Sequence, residues 1–77
     1  MPTVLRIAGY EFFFRAGDCA EPPHIHVRGN GGTAKVWLDP ITLERSSYNQ
    51  ARTREVVSIA VEHRGFLMSE WSRFCGR

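Results

Sequence analysis

The fold of this chain is decided by residues 24–38, which read HIHVRGNGGTAKVWL. Two runs within this stretch alternate apolar side chains with polar or charged ones, the period of two that is typical of a half-buried β-strand. Asn30-Gly31 separates the two runs, and this dipeptide is the strongest short sequence signal for a hairpin turn. The pattern therefore predicts a β-hairpin in which His26 lies opposite Lys35.

The two faces of this predicted hairpin differ in chemistry. One face is apolar and consists of Ile25, Val27, Ala34, Val36 and Leu38. The other face carries His24, His26, Arg28, Thr33, Lys35 and Trp37. Because a strand with one buried face has a strongly specified register, we expect the apolar set in the core and the second set on an open side of the sheet.

Another hairpin is predicted over residues 3–15, before the first one in the chain. Its two strands are rich in β-branched and aromatic residues, and a two-residue turn follows Ile7. This register places Val4 opposite Phe13. Together, the two hairpins predict four antiparallel strands.

Residues 41–48 are predicted to form a polar connector, and a helix follows them. Asn49 is a good N-cap residue, and apolar side chains then recur at helical spacing to near the C-terminus. Gly65 interrupts this run, but the apolar stripe keeps its phase across it, so we predict one continuous helix over residues 49–75. The sequence thus predicts an α+β fold, a four-stranded antiparallel β-meander with one C-terminal helix packed on one face, as a single domain over residues 1–77.

The composition favours a small cytoplasmic protein. The chain has 77 residues, 43% of them hydrophobic, enough for one core near the lower size limit of a domain. Cys19 and Cys75 lie far apart without CxxC spacing, so we expect free thiols in a reducing, cytoplasmic environment. The start of the chain shows no signal-peptide pattern and no apolar run approaches the ~20 residues of a transmembrane helix, so we expect no membrane contact.

Arginine dominates the positive charge of the chain, since nine of its ten basic residues are arginine and the formal net charge is +2. Arginine makes bidentate contacts with carboxylates and phosphates and stacks on aromatic rings. The candidate binding residues on the expected open face are Arg6, Phe13, Arg15, Arg28, Lys35 and Trp37. Because such mixtures occur in protein–protein hot spots and in single-stranded nucleic-acid platforms, we expect a homodimer, a protein partner, or RNA or DNA at this face.

His24 and His26 allow two further hypotheses. Beside Arg28 and Lys35 they have the composition of a metal-independent ribonuclease, in which one imidazole accepts the 2′-hydroxyl proton and the other protonates the leaving oxygen. As a His-x-His pair they are candidate ligands of a transition metal such as zinc, and no other cofactor is expected. The candidates for a further metal ligand are Glu21, Cys19 and Asp39. In either case we expect the two neighbouring cations to lower the pKa of His26 by like-charge repulsion.

The order of these landmarks resembles a bacterial family known as domain of unknown function 4160. The matching motifs are MPTVLRI (1–7), YEFFF (10–14), EPPHIHV (21–27) and AKVWLDP (34–40), together with Trp71 in the predicted helix. The resemblance implies a small single-domain protein and transfers no catalytic residue. It also implies a two-gene, toxin–antitoxin-like module, in which the partner is the product of an adjacent gene from the family known as domain of unknown function 2442.

Overall fold

The chain folds into one antiparallel sheet followed by helices. The computed structural model describes residues 3–76, and within them the sheet has five strands in the order β1-β2-β3-β4-β5. The elements are β1 (Thr3–Ile7), β2 (Tyr10–Phe13), β3 (His24–Gly29), β4 (Gly32–Leu38), β5 (Ile41–Ser46), α1 (Gln50–Glu62) and α2 (Arg64–Cys75). A 3-10 turn, Asp18–Ala20, lies in the loop between β2 and β3. The predicted α+β class and antiparallel sheet are confirmed, while the predicted domain limits at residues 1 and 77 lie outside the described residues.

Of the two residue pairs predicted above, one is confirmed and one is wrong. β3 and β4 pair antiparallel with His26 opposite Lys35. In β1 the register shifts after Thr3, and Phe13 pairs with Thr3 instead of Val4. The predicted Val4–Phe13 pair is therefore wrong, because the irregularity adds one residue to β1 that has no counterpart in β2.

The connector predicted over residues 41–48 is wrong, because β5 occupies most of it. Asp39-Pro40 forms the turn of a third hairpin, with Leu38 paired to Ile41, and does not end the sheet. The polar side chains of this segment are compatible with a strand because β5 lies at the edge of the sheet, where charged side chains meet water. The sheet consequently has one strand more than the sequence analysis predicted.

Two helices follow the sheet in the described residues, so the prediction of one continuous helix is also wrong. Asn49 caps α1 as expected, and its side-chain oxygen accepts a hydrogen bond from the Arg52 backbone N–H at 2.9 Å. The break falls at His63, whose φ of −105° and ψ of 18° are not helical, while Gly65 lies inside α2. Because α1 and α2 both pack against β4, the apolar periodicity continues through the break and could not reveal it.

The core lies between the sheet and the helices. Its buried side chains are Tyr10, Phe12, Phe14, Ile25, Val27, Ala34, Val36, Leu38, Val56, Ala60, Leu67 and Trp71. This set includes every residue of the apolar face predicted for the hairpin of residues 24–38, so that face is confirmed. Across residues 3–76, none of the helices has both the length and the apolar character needed to cross a membrane.

A disulfide joins Cys19 in the 3-10 turn to Cys75 at the end of α2. The expectation of two free thiols is therefore wrong. The two cysteines therefore give no support to the expected cytoplasmic location, because disulfides persist mainly in oxidising compartments. The bond fastens the loop between β2 and β3 to the C-terminal helix, and this loop carries one residue of the site described next.

Candidate functional site

The second face of the sheet, opposite the apolar one, is less open than the sequence analysis predicted. Of its candidate residues, Phe13 is 4% exposed, His24 0%, His26 5% and Lys35 8%. Arg6, Arg15 and Arg28 are exposed and Trp37 is half-buried. The expectation that this whole set faces solvent is therefore wrong, and side chains of the same chain provide the cover.

A row of opposite charges crosses this face on three strands. Glu11 Oε2 accepts a hydrogen bond from Arg6 Nε, and Glu11 Oε1 accepts one from Arg28 Nε, both at 3.0 Å. The three residues are direct cross-strand neighbours, the arrangement in which opposite charges stabilise a sheet. The hydrogen bonds from Arg28 and Arg6 hold the pKa of Glu11 below its usual value. Glu11 thus compensates part of the positive charge of Arg6 and Arg28 within the protein itself.

The two aromatic side chains of this face are covered by cations. The Arg28 guanidinium lies 4.4 Å from the centroid of the Phe13 ring, and Lys35 Nζ lies 4.5 Å from that of Trp37. Lys35 Nζ also donates a hydrogen bond to Glu21 Oε1 at 2.7 Å. These cation–π contacts shield aromatic surface that would otherwise meet water.

A buried cluster of three titratable side chains lies on the same face. His24 Nε2 and His26 Nε2 both lie 3.1 Å from one atom, Asp18 Oδ1. Asp18 Oδ2 accepts a hydrogen bond from the Arg15 backbone N–H at 2.7 Å, and His24 Nδ1 lies 2.9 Å from the Pro22 carbonyl oxygen. One ligand atom from each of the three side chains lies within 4.8 Å of the others, close enough to share a metal ion. We call Asp18, His24 and His26 the Asp–His–His cluster.

Burial and hydrogen bonding set the charges in the cluster. Burial alone raises the pKa of Asp18, but hydrogen bonds from the Arg15 N–H and the His26 ring are the largest effects in the other direction, and the pKa is lower than usual. Burial lowers the pKa of His26, and Asp18 offsets only part of this effect. Asp18 is therefore a carboxylate, and His26 is a neutral imidazole that donates its Nε2–H to it. The predicted direction for the pKa of His26 is confirmed, but its main cause is burial, and the larger like-charge contribution comes from Arg15 instead of the two predicted cations.

Contacts from α2 hold the cluster in place. Cys19, the neighbour of Asp18, is bonded to Cys75 of α2. The ring centroid of Trp71, also on α2, lies 5.3 Å from that of His24. The cluster is therefore shielded from bulk solvent, and an RNA phosphodiester could reach the two imidazoles only after these covering groups had moved. The ribonuclease hypothesis stays a prediction that this geometry does not favour.

Asp18 is the member of the cluster that the sequence analysis missed. It lies in a loop, and its distance along the chain from His24 matches no ligand spacing. The residues predicted in its place make other contacts: Glu21 binds Lys35, Cys19 forms the disulfide and Asp39 binds Arg64. The only local signal was an acidic residue after Gly17 in the loop that leads into the histidine motif.

An open apolar cavity lies beside the same histidine motif. Its volume is about 290 Å³, and it is lined by Pro22, Pro23, Trp37, Asp39, Pro40 and Thr42. The Trp37 indole Nε1–H donates a hydrogen bond to Glu44 Oε1 at 2.7 Å, which fixes the ring in the cavity wall. We call this feature the Trp37 cavity.

Comparison with known proteins gives one match. A model of the family described as "Domain of unknown function (DUF4160)" matches residues 9–72. Among curated proteins and among solved structures, none matches the chain. The matched range includes the Asp–His–His cluster and every residue that lines the Trp37 cavity.

Proposed function

The chain belongs to the family described as domain of unknown function DUF4160, and we propose that this member binds a protein partner through the Trp37 cavity. The partner we propose is the product of an adjacent gene from the domain of unknown function 2442 family. The two proteins would then form a bacterial toxin–antitoxin-like module. The observation that carries the proposal is the open apolar cavity with a half-buried tryptophan in its wall.

The size and stiffness of the cavity suit an inserted side chain. A volume of about 290 Å³ lies at the lower limit of the roughly 300–1,000 Å³ typical of small-molecule sites. Three of the lining residues are prolines, so little conformational freedom is lost when a partner docks. Tryptophan is among the residues most enriched in the energetic centres of protein interfaces. These properties favour an aromatic or branched aliphatic side chain of a partner as the occupant.

The charges around the cavity favour a protein over a nucleic acid. Asp39 lines the cavity and Glu44 binds the edge of its tryptophan. Asp39 is paired with Arg64 and Lys35 is paired with Glu21, so both nearby cations already have a carboxylate partner, and Glu44 would repel a phosphate backbone. A partner that places a basic residue beside its inserted apolar one would complement this rim.

Isothermal titration calorimetry with the purified product of the adjacent gene tests the proposal. We expect binding in the wild type and a loss of about 30-fold or more in Trp37→Ala, the size of effect that defines an interface hot spot. The matched control is Phe66→Ala, because Phe66 is 45% exposed on α2 and is not among the residues that line the cavity. Equal losses in both variants, or a loss in the control alone, would show that the partner uses another surface.

Two further measurements separate the other candidate ligands. Sedimentation of the protein alone, at rising concentration, shows whether a second copy occupies the cavity, since a homodimer formed there would dissociate in Trp37→Ala. Titration with short single-stranded RNA or DNA tests the nucleic-acid hypothesis, which requires binding that weakens as salt rises. Nucleic-acid binding that is lost in Arg28→Gln and unaffected by Trp37→Ala would replace the protein-partner proposal.

A further inference from the structure

Two buried side-chain nitrogen atoms lack a hydrogen-bond partner in the part of the chain that the structure describes, residues 3–76: His24 Nε2 and His63 Nε2. A carboxylate lies beside each, but only His24 belongs to a group of three potential metal ligands within these residues. His24 is fully buried, and its Nε2 makes no hydrogen bond there. The Pro22 carbonyl oxygen can only accept, so His24 Nδ1 must carry the proton that it donates at 2.9 Å. In the neutral ring, Nε2 then presents a lone pair to Asp18 Oδ1 at 3.1 Å.

Two lone pairs that face each other in a buried site repel unless a cation lies between them. Asp18 Oδ1 is an acceptor, since it takes the Nε2–H of His26, so it has no proton to donate to the lone pair of His24. A metal ion would be ligated by the same atoms, because zinc binds neutral imidazole nitrogen and carboxylate oxygen. The arrangement thus has the ligand atoms of a metal site, and a cation between them would remove the repulsion of the lone pairs.

The spacing of these atoms fits such an ion. Bonds of about 2.0–2.2 Å in a tetrahedral zinc site place neighbouring ligand atoms about 3.4 Å apart. The two Nε2–Oδ1 distances are 3.1 Å. A shift of a few tenths of an ångström would bring each Nε2–Oδ1 pair to this spacing, and the three ligand atoms already lie within 4.8 Å of one another. His26 would release its Nε2 proton on binding, as metal ligands do in general.

The outer hydrogen bonds of a metal site are already present. The bond from His24 Nδ1–H to a backbone carbonyl fixes the tautomer in which Nε2 is free to ligate. The Arg15 backbone N–H holds Asp18 Oδ2 and leaves Oδ1 directed at the rings. Such outer-shell partners typically change metal affinity about 10- to 100-fold.

The surrounding charges permit a divalent cation. Lys35, directly opposite His26, directs its ammonium to Glu21, and Arg28 directs its guanidinium to Glu11. Arg15 adds a positive charge near His26, but its side chain is exposed to solvent, where water screens it. The carboxylate of Asp18 supplies the negative charge in contact with the ion.

We propose that Asp18, His24 and His26 bind a divalent transition-metal ion of the zinc class. The three protein ligands leave at least one position for water or for an external ligand, as in exchangeable and catalytic sites. The three ligands are not among the residues that line the Trp37 cavity, although Pro22 lines the cavity and also accepts the hydrogen bond of His24. The proposal stands whether or not a partner binds in the cavity.

Metal titration of the untagged, disulfide-bonded protein tests the proposal. After treatment with a chelator, we expect one Zn²⁺ per chain with a Kd of about 10 µM or lower by calorimetry. We expect Co²⁺ at the same site to give visible absorption that Zn²⁺ abolishes. Asp18→Asn keeps an oxygen for the Arg15 N–H but loses the charge, and should weaken binding more than about 100-fold, beyond the effect of an outer-shell residue. His24→Gln should do the same.

His63→Gln is the matched control. His63 is the third histidine of the chain, its side chain is 29% exposed, and its Nε2 also lies near a carboxylate, 3.2 Å from Glu62 Oε1. This variant should bind Zn²⁺ like the wild type. Circular dichroism checks the fold of each variant, and zinc-induced NMR shifts of the His24 and His26 rings in the wild type decide the question if a variant unfolds. The proposal is overturned if the folded wild type takes up no zinc, which would leave a proton as the bridging cation, or if the shifts map to His63.

Discussion

The two ends of the sheet are built by different means. At one end, the turns at Ala8-Gly9 and Asn30-Gly31 lie side by side, and Asn30 Nδ2–H donates to the Ala8 carbonyl at 2.9 Å. We call this the turn end. At the other end, the loop between β2 and β3 leads into β3. The disulfide joins this loop to α2, and Trp71 of α2 contacts His24. We call this the loop end.

The difference shows how a small protein can combine a strongly encoded fold with a site that local sequence does not encode. The turn end depends on backbone geometry within and between adjacent hairpins, so short signals specify it. The loop end depends on segments from opposite halves of the chain, joined by a bond that spans 56 residues. We therefore expect redox conditions to act on the loop end and backbone substitutions to act on the turn end.

The largest effect is expected from removal of the disulfide. Loop-closure entropy for a separation of 56 residues predicts that the bond contributes about 4 kcal/mol to the free energy of unfolding. Urea denaturation of the wild type with and without a phosphine reductant measures this contribution. The double variant Cys19→Ala with Cys75→Ala should show the lower stability and no response to reductant. An unchanged midpoint on reduction would mean that packing alone holds the loop end.

At the turn end, Gly29→Ala should be nearly as destabilising. Gly29 has a φ of +118°, and a Cβ atom there would overlap the carbonyl oxygen of Gly9 in the neighbouring turn. Backbone strain and the clash together predict a loss of about 3 kcal/mol. The matched control is Gly31→Ala, because Gly31 has a φ of +82° but open space around it, and should cost about 1 kcal/mol. Equal losses in thermal denaturation would show that the contact between the two turns contributes nothing.

A smaller loss is expected from Tyr48→Phe. The Tyr48 hydroxyl lies 2.7 Å from the Gly29 carbonyl oxygen and 2.9 Å from that of Gly32, so it joins the segment before α1 to the turn end. Phenylalanine lacks the hydroxyl, so the single proton that these two carbonyls share is lost, which predicts a loss of about 1–2 kcal/mol. Hydrogen exchange should rise in the β3–β4 turn and stay unchanged around Asp18. Faster exchange at both ends would contradict their independence.

The smallest effect concerns the pH dependence of the charged row. Because Arg28 and Arg6 lower the pKa of Glu11 in the folded state, this carboxylate adds stability above its unfolded pKa. That stability is lost as the pH falls from the usual value of 4.5 through the lower folded pKa. Glu11→Gln should therefore be less stable than the wild type at pH 7, with a difference that shrinks in acid. A constant difference between pH 7 and strongly acidic conditions would show that the charge of Glu11 is not the cause.

Local signals in the sequence were sufficient for most of the fold. The Asn30-Gly31 turn and the alternation around it specify the β3–β4 register, because a two-residue turn leaves few possible pairings. Asn49 specifies the start of α1 in the same way, since its side chain reaches a backbone N–H three residues on. Errors arose where a signal had two structural outcomes. Asp39-Pro40 can end a sheet or turn a hairpin, and an unbroken apolar stripe fits one helix or two.

The candidate site was predictable only in part. The His-x-His alternation placed His24 and His26 on one face, because side chains of a strand alternate whatever the rest of the chain does. Their burial, their carboxylate neighbour and the disulfide beside it depend on α2 and on the loop between β2 and β3, which approach only in the folded state. No spacing in the sequence encodes such contacts. Sequence alone thus determined the hairpins of residues 3–15 and 24–38 and the face of the histidines. The tertiary structure decided that the two histidines are buried and that Asp18 completes the cluster, because packing between distant segments fixes burial.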